Sequence, residues 1–174
     1  MSIQHLSKLL YWLLLSPIAG LLCMWGYFLA SIDSFQALAK QEVAYAIQWH
    51  TVDAWQLYLT CVIAMIPSVI LVWGLFYLRK AFFAFQQNRI FEMTNVVHIK
   101  RFAISLILVA IAGTLANIFA GLILSIQHPS GQKILSIQFK SYDLSTLLIG
   151  LVFWLIAKIL IQANDISKEN QSFV

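Results

Sequence analysis

Residues 102–126, FAISLILVAIAGTLANIFAGLILSI, run for 25 residues without one charged side chain. At about 1.5 Å per helical residue the stretch exceeds the roughly 30 Å hydrocarbon core of a bilayer, so it predicts a membrane-spanning helix. Three further apolar stretches, Leu9 to Ile32, Ala54 to Leu78 and Leu144 to Ile161, have the same character. Only the last carries a charge, Lys158, near enough to its end for the ammonium to reach the headgroups. The expected fold is all-α: an integral membrane four-helix bundle, with residues 1–174 forming a single membrane domain. A composition of 61% hydrophobic and 10% charged residues agrees, because a soluble domain carries roughly 25% charged residues.

The basic residues orient the chain. Lys8, Arg79, Lys80, Arg89, Lys100, Arg101, Lys158 and Lys168 fall on one side of the four spans, and Lys40, Lys133 and Lys140 on the other. An excess of Lys and Arg marks the cytoplasmic side, so both termini are expected in the cytoplasm. This assigns outer loops at 33–53 and 127–143, a cytoplasmic hairpin at 79–101 and a cytoplasmic tail at 162–174. Asp33, Glu42, Asp53 and Asp143 then lie on the outer side. Topology accounts for the net charge of +4, and no direct nucleic-acid binding is expected.

The connections carry patterns of their own. Phe35, Leu38, Ala39, Val43, Ala46 and Ile47 recur at helical spacing behind the candidate cap Ser34, predicting a short helix on the membrane surface. In the second outer loop, Pro129-Ser130-Gly131 signals a turn, and Leu135, Ile137 and Phe139 alternate with polar residues, predicting an extended segment. Between Arg79 and Arg101, Phe82, Phe83, Phe85, Ile90, Phe91, Val96 and Val97 are too apolar for a free loop. The second helix is expected to continue to about Gln87, with a turn at Asn88 and a new helix capped near Thr94.

Within this hairpin, Arg89-Ile90-Phe91-Glu92-Met93-Thr94-Asn95-Val96 resembles the cytoplasmic motif of the bacterial DUF2975 family of four-span membrane proteins. The run from Ala163 to Asn170, closing on Val174, is similar to that family's acidic, apolar-ended tail. The resemblance implies little activity, since the family is itself uncharacterised. It implies a genetic neighbourhood with small helix-turn-helix regulators, and so such a regulator as a candidate cytoplasmic partner.

No residue pattern points to a reaction, and the chain is expected to be neither an enzyme nor a cofactor carrier. His5, His50, His98 and His128 all lie outside the spans, so haem held between helices would lack its ligands. Cys23 and Cys61 sit inside apolar runs without a Cys-X-X-Cys pairing. On the third span, Gly113, Ala116, Asn117, Ala120 and Gly121 form a candidate packing seam of small residues around one amide. The alternative is a small transporter or channel with Asn117 lining a polar path. Ser16-Pro17 and Pro67-Ser68 mark kinks, where a hydroxyl can satisfy the carbonyl freed by proline.

The candidate interaction surface comprises Arg89, Phe91, Lys100 and Arg101 on the hairpin and Asp165 and Glu169 on the tail. The expected function is that of a regulatory or interaction protein acting through this face, with the lipid bilayer and a cytoplasmic protein as partners. The orientation is checked by cysteine labelling after Cys23 and Cys61 are replaced. Cysteines at Gln87 and Gln171 should be shielded from impermeant thiol reagents in intact cells, while those at Gln36 and Gln132 are labelled.

Overall fold

Proline and serine divide the first apolar stretch. Pro17 has no N–H to donate to Leu13, and the Ser16 hydroxyl donates to that carbonyl instead, at 2.8 Å. The span is therefore two helices, α1 (Ile3–Leu13) and α2 (Leu15–Ala30), rather than one from Leu9 to Ile32. In the computed structural model, which describes residues 3–42, 47–87, 92–128 and 140–172 without the side chains of Ile3, Glu42 and 167–172, four more α-helices follow. They are α3 (Ile32–Glu42), α4 (Ala54–Gln86), α5 (Met93–Leu124) and α6 (Ser141–Ser172). Gln4–Ala30, Ala54–Gln86, Met93–Leu124 and Ser141–Ile166 are long and apolar enough to cross a membrane. Their outward faces carry exposed Leu, Ile, Val and Phe side chains along each span, a surface that requires an apolar solvent.

Among the described residues the spans stand in a row in sequence order. Helices α1 and α2 lie on α4, α4 lies on α5, and α6 is in close backbone contact with α5 alone. Both faces of α5 rest on glycine. A Cβ on Gly74 of α4 would come within 2.7 Å of Ser105 Cβ, and one on Gly150 of α6 would meet Ile107 Cγ1 at 3.0 Å and the Ala103 carbonyl at 3.2 Å. Small residues at a crossing let backbones approach closely where lipid offers no hydrophobic driving force. Ser105 fits this seam because its hydroxyl donates within its own helix, to the Phe102 carbonyl at 2.6 Å. On α6 the buried positions recur every seven residues, at Asp143, Gly150 and Ala157, the narrow stripe of a helix with one neighbour.

Hydrogen bonds close the end that carries Asp53. Asp53 and Gln56 form a reciprocal capping box at the start of α4, with the Asp53 N–H donating to Gln56 Oε1 at 2.7 Å. The Gln56 amide then reaches across to donate to the Ile123 carbonyl in the last turn of α5, at 2.7 Å. Gln127 Nε2 donates to Asp53 Oδ2 at 2.5 Å, and the Gln48 N–H donates to His128 Nε2 at 3.1 Å. Ile47, Leu57 and Leu124 form the apolar cluster beneath, with Ile32, Trp49 and Val52 packed on it. At the opposite, basic end, Ala81, Ile99 and Ala157 join α4, α5 and α6, with Phe85, Phe153 and Leu160 against them.

Several boundaries differ from the sequence expectations. Helix α3 begins at Ile32, because Ser31 rather than Ser34 is the pivot: its N–H closes α2 on the Tyr27 carbonyl, and its own carbonyl accepts the first N–H groups of α3. The cap of α5 falls at Glu92, and Thr94 is a first-turn residue whose hydroxyl donates to Glu92 Oε2 at 3.5 Å. Helix α6 starts at Ser141 and continues to Ser172, so the expected tail is helical through that residue. Asp143 is consequently not in a loop. It lies in the first turn of α6, 4% exposed, beside Gly113. Gly113 lies eleven residues short of the end of α5 at Leu124, which sets Asp143 about 16 Å below that end at about 1.5 Å per residue. The turn at Asn88 and the extended reading from Leu135 lie outside the described residues.

The crossings predict a graded response to enlargement. Gly74→Leu and Gly150→Leu should each cost about 1–3 kcal/mol, the usual range for overpacking. At Gly26 a Cβ meets nothing within 4 Å, and Gly26→Leu should stay within about 0.5 kcal/mol. Thermal or denaturant unfolding in one detergent compares the three.

Candidate functional site

Because α4 continues past Leu78 as helix, Phe76, Arg79, Lys80 and Phe83 share one face of it, at three- and four-residue spacing. Tyr11 of α1 covers this face from one side, its ring 6.0 Å from that of Phe83. The first turns of α5 bring Thr94 and His98 from the other side, and the resulting cavity of about 470 Å³ is open at the basic end.

The cations in and around this cavity are held by aromatic rings. The Arg79 guanidinium lies 4.1 Å from the centre of the Tyr11 ring, and its buried Nε has no hydrogen-bond partner. Tyr77 collects Lys80 at 5.3 Å and Arg101 at 5.0 Å from its ring centre, while Arg101 also donates to the Tyr77 hydroxyl at 3.0 Å. Trp73 meets Tyr77 edge-on at 5.0 Å, and the His98 ring is 5.8 Å away with a buried Nδ1 that has no hydrogen-bond partner. Among the described lining residues Glu92 is the one carboxylate, against Arg79 and Lys80. A half-enclosed, positively charged cleft with aromatic walls results, and its potential attracts anions.

The residues expected to form the interaction face are distributed as follows. Arg89 and Phe91 lie outside the described residues. Lys100 and Arg101 are both exposed on α5, and Arg101 joins the Tyr77 cluster. Asp165 is exposed on α6 toward the same end, and Glu169 continues that helix with its side chain outside the description. In the expected seam, Gly113 faces Asp143 and Gly121 is buried, while Ala116, Asn117 and Ala120 are half-buried.

Sequence reasoning counted Arg79 and Lys80 as topology signals and passed over Tyr77, Tyr11 and His98 as site residues. The available signal was the Phe76, Arg79, Lys80, Phe83 spacing, which places aromatic and basic side chains together once the helix is known to continue. No family model, curated protein or solved structure matches the chain.

Two substitutions separate the components of the cluster. Tyr77→Phe removes only the hydrogen bond from Arg101 and should cost about 0.5–1.5 kcal/mol or less. Tyr77→Leu also removes the ring beneath two cations, and should cost about 0.5–1 kcal/mol more. Unfolding of the two variants in low and high salt measures the difference, which should shrink as salt rises.

Proposed function

We propose that this is a regulatory or interaction protein of the bacterial inner membrane, with both termini cytoplasmic, which binds an acidic segment of a cytosolic protein at its basic end. One observation carries the reading: the cavity between α1, α4 and α5 combines cations stacked on aromatic rings with a buried Arg79 Nε that has no hydrogen-bond partner. A carboxylate side chain inserted there would meet Arg79 and Lys80 together, and the aromatic walls suit the apolar residues flanking it. The eight-to-three division of basic residues supports a cytoplasmic position for this end.

The Arg89 to Val96 motif and the tail support placing the chain in the DUF2975 family, and by that resemblance alone a small helix-turn-helix regulator is a candidate partner. The proposal includes no catalytic step, no cofactor and no direct nucleic-acid contact. A second reading, a small transporter, draws support from the depth of Asp143 along α5 rather than from Asn117.

Photo-crosslinking amino acids at Phe83 and Gln87, introduced in the native cell, test the docking reading. The expected result is a discrete adduct with a cytosolic protein. Arg79→Glu combined with Lys80→Glu should abolish it at unchanged membrane level, and position Gln36 at the opposite end should give none. An adduct indifferent to the charge reversal, or crosslinks to lipid alone, would overturn it.

A further inference from the structure

Away from the basic end, one charged side chain is buried among the described residues. Asp143 is 4% exposed, and its Oδ2 is buried without a hydrogen-bond partner. Asp143 is among the described residues that line a second cavity, of about 450 Å³, between α5 and α6. The walls are Ala110, Ile111, Thr114, Leu115, Leu144 and Leu147, almost entirely apolar. The Thr114 hydroxyl donates to the Ala110 carbonyl at 3.1 Å, so its proton is already used within the helix. Lys140 and Ser141 complete the rim, and the Lys140 ammonium lies 5.6 Å from the centre of the exposed Tyr142 ring.

A carboxylate in such surroundings is costly to bury unless a positive charge is brought to it. An ionisable side chain along a membrane span marks a site whose partner must be named. An inorganic cation is a poor candidate, since Ca²⁺ and Mg²⁺ take about six or more oxygen ligands, and the described lining offers one carboxylate and two hydroxyls, those of Thr114 and Ser141, among hydrocarbon. The volume and lining are instead those of a site for an organic molecule, apolar over most of its surface and oriented by a single polar group. Ile111, Leu115 and Leu144 are exposed on the outer surface of α5 and α6, so the cavity mouth faces the apolar phase that such a molecule would occupy.

We propose that the cavity between α5 and α6 binds a hydrophobic organic cation, with Asp143 as its counter-ion. The carboxylate holds the charged centre, and the apolar walls hold the body of the ligand. Gly113 does not line the cavity but bears on it, because a Cβ there would stand 3.2 Å from Asp143 Oδ1 and crowd the carboxylate. The inference is independent of docking at the basic end.

The test uses the full chain in nanodiscs of zwitterionic phosphatidylcholine, with tetraphenylphosphonium as the probe and equilibrium dialysis as the measurement. After subtraction of uptake by empty nanodiscs, saturable binding of one cation per chain is expected. Asp143→Asn should weaken it by about tenfold or more, equivalent to about 1.4 kcal/mol. Leu147→Trp, which fills the cavity and keeps the carboxylate, should weaken it similarly, whereas Asp143→Glu should retain most of it. Uptake no greater than that of empty nanodiscs overturns the proposal, as does equal binding by wild type and Asp143→Asn. Should Asp143→Asn fail to fold, unchanged binding by folded Leu147→Trp overturns it alone.

Discussion

Every span depends on how closely α5 can be approached. In an apolar solvent the burial of leucine against leucine contributes little, because lipid is as good a neighbour, and helices associate through backbone proximity and dispersion. Gly74 on one side and Gly150 on the other supply that proximity, and Ser105 occupies the first crossing without exposing an unsatisfied hydroxyl. The positions of α1 and α2 follow at second hand, through α4. This explains why α5 contributes many buried residues, including Phe102, Ala103, Ser105 and Leu106, while α6 contributes three among its described side chains, in a single stripe.

The two ends of the molecule use polar groups differently. At the Asp53 end, Asp53, Gln56 and His128 are matched: carboxylate to backbone and amide, amide to carbonyl, imidazole to N–H. At the basic end the cations lie on rings, which hold a charge without neutralising it. The first arrangement closes a structure, and the second leaves a field directed outward.

The four spans were readable because charge-free runs such as 102–126 obey a length requirement that any sequence must meet to cross a bilayer. Pro17 was readable for the same reason of local chemistry, since the carbonyl it frees lies within reach of its neighbour's hydroxyl. The crossing glycines were not. Gly74 and Gly150 sit alone in their helices, without the repeated small residues that drew attention to Gly113 and Gly121, and their role exists only opposite Ser105 and Ala103. Asp143 was assigned to a loop because the apolar run begins only after it, at Leu144, whereas the helix begins before it, at Ser141. Helix α6 begins about two-thirds of the way along α5, and that offset is a property of the pair. The signature Asp53-x-x-Gln56 ahead of an apolar run was present in the chain, and it marks the cap of α4.

Gln56 also bears on the order of assembly. Its amide is wholly buried, and it donates to a carbonyl 67 residues further along the chain. When α4 first enters the bilayer that acceptor has not yet arrived, and the amide must stay near water or meet hydrocarbon unpaired, at a cost of several kcal/mol. The arrival of α5 removes the penalty and ties its last turn to the first turn of α4. A single side chain thereby sets the register of the second and third spans end to end, and makes the pairing of α4 with α5 the condition for burying it.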